Sequence, residues 1–444
     1  MKDLTHGNPT KLIIELAIPM LIGNIFQQIY NVVDTIVVGR FIGQEALAGV
    51  GSTGTVTNVL LAFVFGLGTG AGLIVAQCFG QKDFKRMSRI IASLVLVSGI
   101  LSVIMSVLGL IFCPKMLTLL NVPENVIGYS ESYLKIIFSF IYGSVAYNAV
   151  SAILRSTGDS KTPLYALIAA SITNVVLDLL FTITFKMGVA GVAYATILSQ
   201  ILSAVICIFK LLRQKEELMI TRSTFKPDSH SVFLIMSTGF PSAFQSCMIS
   251  LGTLLVQRLI NSFGDSVMAA YVAATKVDSI TIQIVISVCT ALSIYTGQNM
   301  GVMNLDRIKQ GLYHTLRMIL PVCLLLAILI TAFRYELMGI FLDSDSSADA
   351  IEYGAMYLSV IGIAYIICGI MNSYLNVIKG AGDVKVCLLA GIAELSGKII
   401  FAYALSPSLG VLGIWLATPI SWGCGCIIPV VRYYTGKWKT KRLV

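Results

Sequence analysis

KLIIELAIPMLIGNIFQQIYNVVDTIVVG, residues 11–39, is a mostly apolar run that is long enough to cross a lipid bilayer as one helix. A helix rises 1.5 Å per residue, so about 20 apolar residues cover a hydrocarbon core of about 30 Å. Comparable runs recur along the 444-residue chain, which is 56% hydrophobic and 12% charged, with a mean hydropathy of +0.86. The runs are continuous rather than alternating, which favours helices over a membrane barrel. The sequence therefore predicts an all-α integral membrane protein.

The hydropathy pattern predicts twelve transmembrane helices. Several of them exceed 25 residues, which is typical of tilted helices that continue beyond the hydrocarbon. The predicted spans are 11–39, 48–77, 88–113, 128–154, 162–185, 189–211, 231–262, 267–297, 310–341, 349–378, 385–405 and 410–434.

The distribution of basic residues predicts the orientation of these spans. An even number of spans places both termini on the same side, and the segments on that side carry 23 Lys and Arg, against 4 on the other side. Because cytoplasmic loops carry the excess of positive charge, we expect both termini to be cytoplasmic. The loop LDSDSSADA, residues 342–350, is acidic and is predicted to face outward. The expected location is the cytoplasmic (inner) membrane of the cell, in contact with membrane lipids.

The remaining composition excludes several classes of function. The net charge of +9 is spread over loops between spans, so it does not indicate nucleic-acid binding. The ten cysteines lie mostly in apolar runs, and the three histidines are far apart, so neither a disulfide framework nor a metal cluster is expected. No nucleophile and base stand in a catalytic pattern, so we expect no enzyme activity and no cofactor.

The two halves of the chain resemble each other, which indicates an internal duplication. Each half has six spans, so the copies share one orientation and are parallel repeats. We therefore expect an N-lobe at 1–211, a cytoplasmic linker at 212–230 and a C-lobe at 231–444 with a basic tail. The matched blocks, at offsets of 221 to 224 residues, are FIGQEALAG (41–49) with SFGDSVMAA (262–270), AQCFG (76–80) with GQNMG (297–301), LRSTGD (154–159) with IKGAGD (378–383), and MGVAGVAYAT (187–196) with LGVLGIWLAT (409–418).

Two aspartates interrupt the apolar runs of the N-lobe. Asp34 lies in the first predicted span and Asp178 in the fifth. A charge inside a membrane is costly, so it indicates function by default. The repeat maps Asp34 to Leu255 or Val256 and Asp178 to Ile400, so the C-lobe lacks both acids. The shared fold therefore does not require them, and the N-lobe is predicted to carry the chemistry.

Neutral oxygen-bearing side chains accompany the two acids. Asn174 is one helical turn from Asp178, and Tyr30 is one turn from Asp34. Thr196 lies in span six and Asn148 in span four. Such a group suits a hard cation such as Na⁺, whereas a proton needs only the carboxylates. Competition between a proton and another cation for the same acids is the minimum requirement of an antiporter.

Other intramembrane charges have a less defined role. Arg258, Lys276 and Asp278 lie in spans seven and eight, and Glu394 and Lys398 lie one turn apart in span eleven. Lys276 and Asp278 are two residues apart and do not share a helical face, so pairing across helices is expected. Neutralising pairs and functional groups of the second lobe both remain open for these residues.

The sequence resembles the multidrug and toxic compound extrusion (MATE) family over essentially its whole length. The resemblance rests on LAIPMLIGNIFQQIYNVVDTIVVGRFIGQEALAGVG, VAQCFGQKD, AILRSTGDSKTPL, TNVVLDLLF and GVAGVAYATILSQ, in order and with the twelve-span duplication. It implies the MATE fold and export of organic cations and drugs in exchange for H⁺ or Na⁺. The positions that match the N-lobe site of archaeal and DinF-like members are Tyr30, Asp34, Asn148, Asn174, Asp178 and Thr196.

The resemblance also implies further roles. Pro19 is expected at a point where span one bends, and Asp34, Asn174, Asp178 and Thr196 are the candidate Na⁺ ligands. Other members carry a Glu in span seven and an Asp in span ten that bind Na⁺, whereas span seven here offers Gln245 and span ten offers the neutral Asn372 and Asn376, so a Na⁺ site of that type is not expected in the C-lobe. The candidate C-lobe cavity residues are Gln245, Asn372 and Asn376.

The predicted substrates are small amphipathic or cationic compounds, and the predicted state is a monomer. A lipid-linked precursor flippase of the same superfamily is the alternative function.

Overall fold

The computed structural model describes residues 1–119, 122–221, 223–342 and 348–444. Within these ranges the chain is helical and has no strand. This is expected in lipid, because a helix pairs its own backbone polar groups where no water can do so. The α-helices are α1 (Pro9–Val37), α2 (Gln44–Gln81), α3 (Phe84–Leu119), α4 (Glu124–Ser139), α5 (Tyr142–Ser156), α6 (Lys161–Leu179), α7 (Gly188–Arg213), α8 (Ser229–Asn261), α9 (Asp265–Gly301), α10 (Leu305–Ala332), α11 (Arg334–Gly339), α12 (Ala348–Ala381), α13 (Val384–Leu409) and α14 (Val411–Tyr434).

The number of membrane-spanning helices agrees with the prediction. Among the described residues, eleven single helices are long and apolar enough to span, and α4 and α5 pass the same test together. This pair is bent by 51° and corresponds to the predicted span 128–154. Counted as one broken span, it completes the twelve, and the all-α membrane fold is confirmed.

The break between α4 and α5 depends on tertiary packing. Gly143 begins the first turn of α5 against α7, and a Cβ at this position would lie 2.8 Å from Ile201 Cγ1. Only a glycine allows α5 to approach α7 this closely. The run of apolar residues alone gives no sign of the bend.

The predicted limits of span nine, 310–341, differ from the structure. Helix α10 ends at Ala332, and the short helix α11 follows it separately. The Arg334 side chain donates a hydrogen bond to the Thr331 carbonyl at 2.8 Å, which satisfies one of the free carbonyls at the helix end. The prediction was wrong here because apolar residues continue past this polar cap. Residues 343–347 of the predicted acidic loop and Arg222 of the predicted linker lie outside the described residues.

The described chain divides into two compact units. Unit 1 comprises Met1–Asp3 and Ile22–Phe240, and unit 2 comprises Leu4–Leu21 and Pro241–Val444. The chain thus passes from one unit to the other inside α1 and inside α8. A proline stands near each crossing, Pro19 in α1 and Pro241 in α8, and a proline removes one backbone hydrogen bond from a helix. The assignment of 1–211 and 231–444 as functional lobes stays a prediction.

Each unit has its own apolar core. In unit 1, Val64, Met105, Ile141 and Val145 form one buried cluster. In unit 2, the buried indole of Trp415 stacks on Tyr271 at 5.7 Å between ring centroids. Large apolar side chains on the outer faces of the helices are exposed, as a protein surrounded by lipid requires.

Candidate cation-coupling site

Helices α1 and α6 bring the two predicted acids of unit 1 together. The Asp34 carboxyl on α1 faces the Asp178 carboxyl and the Asn174 side chain on α6. Asp178 and Asn174 are 0% and 1% exposed. Their spacing of four residues places both on the same face of α6, so the helix presents an acid and an amide to α1.

The polar atoms of this group have few protein partners. Asp34 Oδ1, both carboxyl oxygens of Asp178 and both amide atoms of Asn174 are buried without a hydrogen bond. The ion pairs found among the described residues do not include either aspartate. Buried polar atoms in proteins almost always have a partner, so this group is expected to bind water, a proton or a cation.

Both helices change form directly after the acids. The α-helix of α1 continues as a π-helical turn, Val38–Ile42, and that of α6 as a π-helical turn, Leu180–Thr184. The two turns contact each other. Single π-helical turns occur frequently at functional sites, because the wider turn leaves α-helical backbone bonds unmade. Gly43 follows the first turn with φ of 125°, which a side chain would disfavour.

Helix α7 contributes the next polar groups. Gln200 Nε2 donates to the Tyr30 hydroxyl at 3.4 Å, and Tyr30 in turn lies beside Asp34. The Thr196 hydroxyl donates to the Val192 carbonyl at 3.0 Å within α7. Tyr30 therefore lies beside Asp34, and the predicted site roles of Tyr30 and Thr196 stay predictions.

Two neighbours of the acids were missed by the sequence analysis. Tyr133 on α4 lies near Asp34 and faces the Thr196 hydroxyl. Gln200 contacts Tyr30 as described above. Gln200 could have been found, since it stands one helical turn after Thr196, on the same face. Tyr133 gives no such signal, because it lies on α4, and only the packing of α4 against the other helices brings it near Asp34.

Asn148 and Pro19 do not contact the acids among the described residues. Asn148 donates its amide to the Ser144 carbonyl at 2.8 Å, on its own helix. Pro19 lies in the part of α1 that belongs to unit 2, whereas Asp34 lies in unit 1. Their predicted roles, as a site residue and as a hinge, stay predictions.

The predicted C-lobe cavity residues make contacts with nearby residues of unit 2. Asn372 donates to the Cys368 carbonyl at 3.0 Å, and Asn376 donates to the Asn372 carbonyl at 2.9 Å. Gln245 is 7% exposed and packs against Gly391. These contacts use the amide nitrogens of the two asparagines, and the predicted role of the three residues in a C-lobe cavity stays a prediction.

The charged residues of unit 2 form a different arrangement. Asp278 on α9 accepts hydrogen bonds from the Tyr365 hydroxyl at 2.6 Å and the Tyr357 hydroxyl at 3.4 Å, both on α12. Pairing across helices was expected for Asp278 and for Lys276. The partners of Asp278 are indeed on another helix and are tyrosines, whereas Lys276 is exposed. Arg258 is exposed as well.

Two acids of unit 2 lie close enough to Lys398 to interact with its charge. Its ammonium interacts with the charges of both Glu394 and Asp278, and its nitrogen lies 3.5 Å from the Thr253 hydroxyl. Neither acid forms an ion pair within 4 Å with it among the described residues. The structure therefore supports mutual compensation of charge here rather than a tight pair.

Comparison with known proteins places the chain in a family. The sequence model of the MatE family matches residues 19–180 and again residues 241–404. The chain belongs to the MatE family. The two matches begin 222 residues apart, which confirms the predicted internal repeat.

Relatives and solved structures agree with this family. Over 99% of this chain and 98% of its own length, the "Probable multidrug resistance protein YpnP" of Bacillus subtilis (strain 168) is 31% identical. A solved outward-facing multidrug resistance MATE family transporter of the MOP superfamily is 24% identical, with a TM-score of 0.91 over 99% of this chain and all of that one. A MOP superfamily transporter from Pyrococcus furiosus, described as having a binding pocket of reverse polarity, is 23% identical, with a TM-score of 0.92 over 99% of this chain and all of that one.

These findings settle the general class of the protein. It is a multi-pass membrane transporter of a multidrug efflux family and not an enzyme. The expectation of a lipid-linked precursor flippase is not favoured by these relatives.

Proposed function

We propose that this MatE family protein is a secondary active antiporter that exports small organic cations in exchange for H⁺ or Na⁺. In this proposal Asp34 and Asp178 are the coupling acids. The main support is the pair itself: two facing intramembrane carboxyls with buried oxygens that have no protein partner.

The coupling follows from simple charge balance. Two neighbouring carboxylates in a low-dielectric site repel each other, so the pair favours taking up a positive charge. A proton or a Na⁺ satisfies that requirement, and so does the ammonium group of an organic cation. Because the site cannot hold both positive charges comfortably, entry of one releases the other.

Na⁺ binding is compatible with the groups present. Asp34, Asn174 and Asp178 offer oxygen atoms without a protein partner, and the Thr196 hydroxyl oxygen retains a lone pair after donating to Val192. A proton would be held by the carboxyl groups alone. A one-for-one exchange of a monovalent organic cation for H⁺ or Na⁺ moves no net charge, so the concentration gradient of the inward ion drives it. The membrane potential contributes about 2.3 kcal/mol per 100 mV only for each net charge that is carried inward.

The membrane context belongs to the same proposal. The excess of Lys and Arg on one side places both termini in the cytoplasm. The protein would act as a monomer in the cytoplasmic membrane, with Pro19 as the point where α1 bends during the cycle.

Transport in proteoliposomes tests the proposal. Uptake of a fluorescent organic cation is measured under a pH gradient and, separately, a Na⁺ gradient, for the wild type and for Asp34→Asn and Asp178→Asn. Each variant should lose gradient-driven transport while keeping the elution profile of the folded protein. Asp278→Asn is the matched control, because it also neutralises an intramembrane aspartate. Normal gradient-driven transport by Asp34→Asn or Asp178→Asn would remove that residue from the mechanism.

A further inference from the structure

Buried polar atoms without a partner are concentrated around the acid pair. Of the thirteen such side-chain atoms among the described residues, eight lie on α1, on α5 and on α6 with its π-helical turn. Besides the atoms of Asp34, Asn174 and Asp178, they are Ser171 Oγ, Thr182 Oγ1 and Tyr147 Oη. Residues 171, 174, 178 and 182 follow one face of the helix.

The hydroxyl groups in this set are unusual for helical residues. Serine and threonine in a helix commonly donate to the carbonyl one turn earlier, as Thr196 does to Val192 and Ser199 does to Ala195. Ser171 and Thr182 do not make this bond, although each is 7% exposed. Polar groups buried in this way are normally satisfied by ordered water.

The row on α6 is closed at the end that leads to the α5–α6 loop. One helical turn before Ser171, Leu167 packs against Gly23 of α1. A Cβ added at Gly23 would lie 3.1 Å from Leu167 Cδ1. Leu164 lies against the same glycine. This apolar contact leaves no polar continuation along α6.

Helix α5 carries polar side chains toward the α5–α6 loop, beyond the point where the polar row of α6 ends. Tyr147, Ser151 and Arg155 are spaced by four residues, so they share one helical face. Tyr147 is 5% exposed, and the polar side chains near its hydroxyl include those of Tyr30, Ser151 and Arg155. Arg155 donates to the Ser151 hydroxyl at 2.7 Å, directly before the α5–α6 loop.

We propose that this face of α5 is a hydrated proton route between the acid pair and the loop at 157–160. In this route Tyr30 follows Asp34, Tyr147 follows Tyr30, the buried Ser151 follows Tyr147, and the half-buried Arg155 lies at the end next to the loop. Each hydroxyl accepts a proton from the water on one side and releases its own to the water on the other, so no residue changes its charge. The inference rests on the proposed function, because it concerns how protons reach the coupling acids.

Removal of a single hydroxyl tests the route. Tyr147→Phe keeps the ring and should slow transport driven by a pH gradient at least about tenfold, as expected when a positioned proton-transfer group is lost. The affinity for the fluorescent cation should stay unchanged, and the rate should become more sensitive to replacement of H₂O by D₂O. Ser151→Ala should act in the same direction. Tyr142→Phe is the matched control, since that tyrosine lies on the same helix and is 47% exposed.

Water next to Tyr147 can be detected without any transport. X-ray radiolysis labels side chains that lie beside ordered water, so Tyr147 should be labelled despite its burial. Tyr295, which is 0% exposed and donates to the Arg307 carbonyl at 3.2 Å, should remain unlabelled. An unlabelled Tyr147, or a wild-type rate and isotope effect in Tyr147→Phe, would overturn the route. If instead Asp34→Asn and Asp178→Asn transport normally, the proposed function fails, while labelling still reports on the water.

Discussion

Asp178 of unit 1 and Asp278 of unit 2 both lie within membrane-spanning helices, but their carboxyl groups have different partners. Both oxygens of Asp178 are buried without a hydrogen bond, and its neighbour is another acid, Asp34. Asp278 accepts bonds from the hydroxyls of Tyr365 and Tyr357 and is near the Lys398 ammonium.

The comparison separates two uses of the same side chain. An acid whose oxygens have no fixed donors can exchange a proton or a cation at little structural cost. An acid that accepts bonds from two hydroxyls weakens those bonds when it takes up a proton, so it is suited to fixing helix positions. The duplication makes this difference informative, because the two units share a fold but not these acids.

The largest expected effect concerns Asp278. Asp278→Ala leaves the hydroxyls of Tyr365 and Tyr357 buried without their acceptor, and each such loss costs about 1 to 3 kcal/mol. We expect the protein to lose about 4 kcal/mol of stability, measured as a fall in its midpoint of thermal unfolding in detergent. Asp178→Ala should lower the midpoint much less, since it removes no protein hydrogen bond. Equal losses in the two variants would break the comparison.

A second test uses positions that the repeat makes equivalent, Asp159 in unit 1 and Asp383 in unit 2. Asp383 is 6% exposed and forms an ion pair with Arg432 at 2.6 Å. Asp159 instead caps α6, where its carboxylate accepts from the Thr162 amide at 3.0 Å and from the Thr162 hydroxyl at 2.8 Å.

The two equivalent positions should therefore respond differently to alanine. Asp383→Ala leaves a half-buried arginine uncompensated and should cost about 3 kcal/mol. Asp159→Ala should cost about 1 kcal/mol, the usual value of a helix cap. Thermal unfolding of both variants shows which one loses more stability, and Asp159→Asn is a control that retains the cap. A larger loss for Asp159→Ala would contradict the assignment of roles.

The smallest expected effect is at the start of α8 and depends on pH. Asp228 accepts from the Ser231 amide and from the Ser231 hydroxyl, both at 2.8 Å. Although burial alone would raise the pKa of Asp228, these hydrogen bonds and the charges of Arg89 and His230 hold it below its usual value.

A carboxyl whose pKa is lowered by folding stabilises the protein above its unfolded pKa. That contribution is lost as the pH falls through the folded pKa. Asp228→Ala should therefore lower the free energy of unfolding by about 1 kcal/mol at neutral pH, seen as a lower unfolding midpoint. In strong acid the variant and the wild type should have the same midpoint. A pH-independent difference between the variant and the wild type would show that the charge is not involved.

The spans and the acid pair were predictable from sequence because both signals are local. Apolar runs are long enough to be recognised individually, and a charge inside one of them is conspicuous without any tertiary information. The repeat then showed that Asp34 and Asp178 belong to only one half. Gln200 was recognisable in principle, by its spacing from Thr196.

Other features gave no local signal. The 51° bend between α4 and α5 lies where Gly143 packs closely against Ile201, a contact that the apolar run itself does not reveal. The end of α10 at Ala332 lies within a continuous apolar run. The bonds of Asn372 and Asn376, whose amides donate to carbonyls of their own helix, were likewise not readable from the sequence.

Hydropathy and charge by themselves determined that this chain crosses the membrane about twelve times and that its N-terminal half carries two costly acids, and the matched sequence blocks determined that it is duplicated. Only the tertiary structure decided that these acids face each other without fixed donors, whereas Asp278 is held by two tyrosines. The physical reason is that a membrane-spanning helix is specified by its own run of apolar residues. The hydrogen-bond partners of a buried polar atom depend instead on which other helices pack against it.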